Sequence, residues 1–164
     1  MELRVATLTR RLAAGLLDLV PVAALAAGVV LWWLQRHPGY LPPRYWNGLD
    51  YLVDLVNTRP ELSVLAVVSF AVCYVSWETV WTACIGAAPV ARVLGIRIVS
   101  TPGRRIGFVR ALVRAILSLL LAVAAGIGPA WALISGRRRM LHDILCGCLA
   151  AEGPLPASSR IEEE

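Results

Sequence analysis

The sequence predicts an all-α membrane fold: two transmembrane helices, a third hydrophobic segment, and a small basic cytoplasmic loop that holds a short strand. Three observations carry this. Hydrophobic residues make up 58% of the chain and charged residues 16%, whereas a soluble domain runs about 45–50% apolar and about 25% charged. The apolar residues gather into three runs, 12–34, 62–86 and 115–135. Arginines flank these runs, which is the distribution that orients a protein in a bilayer. The net charge of +5 therefore points to membrane orientation, and no nucleic-acid partner is expected.

The first run, 12–34, is interrupted only by Asp18. As a helix it spans about 34 Å, enough for a hydrocarbon core of about 30 Å. It outruns the h-region of a cleaved signal peptide and contains a carboxylate, so it reads as an uncleaved anchor. Trp32 and Trp33 mark its far interface. Residues 35–60 are polar and turn-rich, with Tyr40, Tyr45, Trp46 and Tyr51 interleaved. Within them Asp50-Tyr-Leu-Val-Asp-Leu-Val predicts a short amphipathic helix lying on the membrane.

The second run, 62–86, has Glu78 as its one formal charge. The loop 87–110 that follows is basic, with Arg92, Arg97, Arg104, Arg105 and Arg110 and no acid. Its β-branched stretch 93–99 ends at Ser-Thr-Pro-Gly and predicts a strand and turn. The third run, 115–135, carries Gly126-Ile-Gly-Pro129 at its centre and Arg137-Arg138-Arg139 directly after it. Residues 153–164 form a short polar tail, expected to be disordered. The membrane domain is thus 1–152.

By the positive-inside rule the N-terminus is cytoplasmic, 35–60 is external and 87–110 is internal. A full third span puts Arg137–Arg139 outside, against the rule. A re-entrant hairpin turning at 126–129 returns them to the cytoplasm, where turn residues and charges agree, and is the favoured reading over a full span. The four cysteines are Cys73, Cys84, Cys146 and Cys148. Cys146-Gly147-Cys148 is a lone C-x-C, and with only two histidines in the chain no metal site or cofactor is expected.

Four segments in order resemble a known family. They are Arg-Arg-Leu-Ala-Ala-Gly-Leu-Leu-Asp at 10–18, Gly-Ala-Ala-Pro-Val-Ala-Arg-Val-Leu-Gly-Ile-Arg-Ile-Val at 86–99, Arg-Ala-Leu-Val-Arg at 110–114, and Arg-Met-Leu-His-Asp-Ile-Leu-Cys-Gly at 139–147. Together they resemble the RDD family of bacterial membrane proteins. The resemblance implies that Arg11 (or Arg10), Asp18 and Asp143 are the arginine and two aspartates that name it. The loop departs from the family's usual G-x-T-x-G-K-R at Ala88, Val90 and Ala91, and Cys148 stands where a threonine is usual. The family's biochemical role is largely undefined.

Asp18 is the sharpest single feature, because a charge in mid-membrane costs about 2.5–3.5 kcal/mol on insertion scales. Arg11 is expected to snorkel to the interface rather than reach it. Glu78 falls at similar depth, and Arg110 and Arg114 share a helix face at the inner mouth of the third run. These four are expected to meet, chiefly as interhelical glue. Asp143 is expected to pair with Arg92, Arg97 or Arg139. His142-Asp143 lacks a nucleophile placed against it, and no G-x-S-x-G, H-E-x-x-H or phosphate loop occurs, so no enzyme is expected. The function read from all this is a structural or accessory part of a bacterial envelope system, in the cytoplasmic membrane. The alternative is a small oligomeric cation or proton transporter using Asp18 and Glu78. Expected partners are anionic lipid headgroups at the basic loop, and a second copy or another membrane protein.

Overall fold

The computed structural model describes residues 4–40, 47–100, 105–124 and 140–152. Its elements are β1 (Arg4–Val5), α1 (Leu8–Arg36), α2 (Gly48–Thr58), α3 (Pro60–Ile85), α4 (Pro89–Val93), β2 (Ile96–Ser100), α5 (Phe108–Val123), α6 (Leu141–Leu145) and β3 (Cys148–Glu152). α1 has 29 residues and α3 has 26, or about 43 Å and 39 Å at about 1.5 Å per residue. Both are long and apolar enough to cross a membrane. Pro21 lies inside α1 without ending it.

These helices invert the pattern of a water-soluble protein. In α1 the buried stripe is Arg11, Ala14, Asp18, Val22 and Ala26, while Leu16, Leu17, Val20 and Leu25 stand outward at 52–66% exposure. In α3 Ser69, Thr79 and Thr82 are buried while Val64, Val67, Val68 and Val72 are exposed. α5 buries Ala111, Arg114 and Ala115 and turns Val109, Val113, Leu120 and Val123 outward. Large aliphatic groups outside and small or polar groups inside are stable only where the surroundings are themselves apolar.

The chain forms two compact units. One comprises residues 1–19 and 74–164, the other Val20–Cys73. The first contains a three-stranded antiparallel sheet in the order β1-β3-β2, which corrects the all-α expectation. The C-terminal strand is central: Val5 faces Ala151, and β2 runs from Ile96 opposite Glu152 to Ser100 opposite Cys148. Ile96, Ile98, Cys148 and Ala150 pack with Ala6, Ala14, Ile106 and Ala111. Val99, Leu149 and Ala151 form a second cluster. The strand expected at 93–99 begins at Ile96, because Val93 closes α4 and Gly95, at φ 74°, makes the turn between them. Gly86, at φ 86°, likewise ends α3, and its carbonyl accepts from Ile98 N at 2.7 Å.

In the second unit α2 is the short helix expected around 50–56. Asn47 caps it, its Oδ1 accepting from Leu49 N and Asp50 N, each at 2.9 Å. Arg59 alone separates α2 from α3, which starts on Pro60, a residue pre-set for a first helical turn. The third hydrophobic run opens as α5, seven residues before the expected start. The proposed turn at 126–129, Arg137–Arg139 and the tail 153–164 lie outside the described residues.

Candidate functional site

The first unit draws charges from four helices into one place. α1 brings Arg11, α3 brings Glu78, α5 brings Arg114, and α6 brings Asp143. Asp143 is fully buried, and Arg11 and Arg114 are each 7% exposed. One carboxylate oxygen of Asp143 pairs with the Arg11 guanidinium. The other accepts from Arg114 Nε at 3.0 Å. Arg114 then reaches away with Nη1 to Glu78 Oε2 at 3.3 Å. Two arginines thus face two carboxylates, each guanidinium paired with at least one of them. That is the condition for keeping ions out of water. Beside it Tyr74 Oη and Ser118 Oγ are hydrogen-bonded at 3.0 Å, a further link between α3 and α5.

Asp18 does not join the arginines. It is buried on α1, and its two carboxylate oxygens accept from Val90 N at 3.1 Å and Ala91 N at 3.3 Å. Those amides open α4, whose own N-cap, Ala88, has no side chain able to cap it. A residue from another helix supplies what the local sequence lacks. The departures at Val90 and Ala91 therefore fall where the contribution is a backbone N–H, which any residue but proline provides. Asp18→Ala is expected to release both amides. With a cap contributing about 0.5–2 kcal/mol, hydrogen exchange at Val90 and Ala91 should speed up by roughly tenfold, since about 1.4 kcal/mol is a factor of ten.

Several sequence expectations are corrected here. Arg11 does not snorkel outward; it is buried against Asp143. Among the described residues Asp143 pairs with Arg11 and Arg114 and with neither Arg92 nor Arg97; Arg92 is exposed, with Nη1 on Ile85 O at 3.4 Å, and Arg139 lies outside the described residues. Arg110 is exposed. The buried stripe of α5 runs through Ala111, Arg114 and Ala115, which turns the preceding arginine away. His142, expected only as Asp143's neighbour in sequence, proves to be part of the site. It is 4% exposed, with Nε2 3.5 Å from Asp143 Oδ1. Its Nδ1 is buried without a hydrogen-bond partner among the described residues.

The electrostatics beyond the long helices follow from burial. Loss of water, the largest influence, holds His142 down to about 4 from 6.5, with Arg114 and Arg11 adding to it against Asp143. Burial pushes Asp143 up, but the charges around it, Arg114 foremost, hold it below its ordinary value. Between pH 6.5 and about 4 the unfolded chain takes a proton on His142 that the folded chain refuses. Stability is thus fully present above that window and is lost as pH falls through it. Asp143, being depressed, loses its contribution at still lower pH. Thermal melts in detergent should show falling stability from pH 6.5 to 4.5, and His142→Gln should flatten that slope.

Burial also raises the thiols of Cys146 and Cys148, which keeps them protonated and poorly nucleophilic. Among the described residues no three His, Cys, Asp or Glu side chains are grouped to hold a metal ion.

Bilayer-length helices with outward aliphatic faces, joined inside by a buried ion-pair cluster, define a helical protein of the membrane type. The chain belongs to the RDD family, which it matches over residues 5–147. No curated protein and no solved structure matches it. The arginine and aspartates identified from the family resemblance fall at two connected places: Arg11 and Asp143 pair with each other, and Asp18 secures α4 seven residues along the same helix.

Proposed function

We propose that the chain is a multi-pass protein of the bacterial cytoplasmic membrane, with its N-terminus in the cytoplasm. We further infer that it acts as a non-enzymatic structural or accessory component of an envelope system. The observation that carries this reading is the closure of the buried charges upon one another. Arg11, Arg114, Asp143 and Glu78 are paired with one another, and Asp18 caps two backbone amides. Such an arrangement suits holding helices and sheet together. A transport site instead has to leave a carboxylate available to its ion. The exposed Arg92, Arg105 and Arg110 suit contact with anionic headgroups on the cytoplasmic side.

Proteoliposomes holding the purified chain test this. Flux of Na⁺, K⁺ and H⁺ should equal that of empty vesicles, and neither Asp18→Asn nor Glu78→Gln should change it. Flux in the wild type that vanishes in a folded Glu78→Gln protein would replace the accessory role with transport.

A further inference from the structure

The second unit presents an apolar surface with a different setting from the helix flanks. On α2, Leu49, Val53 and Val56 are 71%, 54% and 63% exposed, and their i, i+4, i+7 spacing puts them on one face. Asp54 and Thr58 occupy the other side of the helix, about 140° and about 180° round from Leu49 at about 3.6 residues per turn. At 11 residues, or about 16 Å, α2 is too short to cross a bilayer.

Its position is nevertheless fixed by the ends of the two long helices. A 3₁₀ turn, Pro38–Tyr40, follows α1. Tyr51 Oη donates to Tyr40 O at 3.1 Å, and Arg59 Nη1 donates to Gly39 O at 2.8 Å. The Arg59 guanidinium also lies 5.1 Å from the Tyr40 ring centre. Trp33 stacks on His37 at 4.1 Å and meets Tyr40 edge-on at 4.9 Å, and Arg36 sits over Trp32 at 4.2 Å. These amphipathic rings and arginines are the groups that settle at headgroup level. They clamp α2 at the end of α1 and the start of α3.

We propose that α2 is an interfacial helix, its Leu49–Val53–Val56 face sunk into the acyl boundary of the leaflet opposite the N-terminus. The occupant of that face is thus a lipid surface. Three aliphatic side chains offer far less than the ~1,200 Å² of a stable protein interface. Two acids and no base within Gly48–Thr58 make the attachment apolar rather than electrostatic, so it does not need anionic lipid. By floating at the boundary, α2 sets the depth at which α1 and α3 sit. The inference rests on the reading that those helices cross the bilayer.

The test uses the full chain in phosphatidylcholine vesicles, with the four native cysteines replaced by alanine and one nitroxide label at a time. Labels go on Val53→Cys, Thr58→Cys and Val67→Cys, the second on the exposed polar side of α2 and the last on the exposed flank of α3 (68% exposed). Collision with oxygen, which concentrates in acyl chains, is compared with collision with a water-soluble nickel chelate. Val67 and Val53 should favour oxygen, with a ratio at Val53 several-fold above that at Thr58. Leu49→Cys should repeat the Val53 result if the Val53 variant is poorly folded. A Val53 label as open to nickel as Thr58 overturns the proposal. So does a Val53 label closed to both reagents with dipolar broadening between labels, which indicates a second copy on that face. Nickel access at Val67 overturns the spanning reading itself, and the interfacial one with it.

Discussion

Asp143→Asn should be the most damaging single substitution in the buried cluster, lowering stability by about 3–5 kcal/mol, the usual result of stranding buried ions. Asn keeps the shape and removes the charge that Arg11 and Arg114 share. Both guanidiniums are held at 5–9% side-chain exposure, so water cannot replace the lost partner. The effect should reach beyond α6, because Asp143 is where α1, α5 and the C-terminal strand region are tied together. Unfolding in mixed detergent micelles measures it. A loss below about 1 kcal/mol, the usual worth of a surface pair, would mean the cluster is not truly desolvated.

Arg114→Lys should be nearly as disruptive in character, though smaller, at roughly 1–3 kcal/mol. The charge is preserved, so a purely Coulombic account predicts little change. Arg114 works through geometry: Nε serves Asp143 and Nη1 serves Glu78, at 3.0 Å and 3.3 Å. An ammonium is a single point of charge and lacks that planar fork. It can keep one carboxylate and must abandon the other. The same micelle unfolding checks this, with Arg110→Lys as the comparison. Arg110 is exposed, and its replacement should leave stability within about 0.5 kcal/mol of wild type.

The helices were legible in the sequence because length and apolar content are local properties. The predicted 12–34 became Leu8–Arg36, and 62–86 became Pro60–Ile85. α2 was legible because its alternation of Asp and aliphatic residues has a helical period. The sheet was not. β1 is two residues long, and β3, Cys148-Leu-Ala-Ala-Glu152, contains no β-branched residue. Its pairing partners lie some fifty and nearly a hundred and fifty positions away, so no short window holds a signal.

The site divides the same way. Asp18, Glu78 and Arg114 stood out as charges within or beside apolar runs. The partner of Arg11 could not be read, because Arg11 and Asp143 are 132 residues apart and only the folded chain joins them. His142 gave no signal beyond its place next to Asp143. The row of Arg110 and Arg114 was too coarse a guide. Which of two arginines on adjacent turns faces inward depends on where the neighbouring helices sit, and here Ala111 and Ala115 mark that line.

Arg114 and Asp143 act as one buried unit holding the helices together. A double-mutant cycle of Arg114→Met and Asp143→Asn, read by unfolding in mixed micelles, tests it most directly. The double variant should lose about 1–3 kcal/mol less than the two single losses summed, as residues in one network do. Losses that add to within about 0.5 kcal/mol, the behaviour of independent sites, would contradict it.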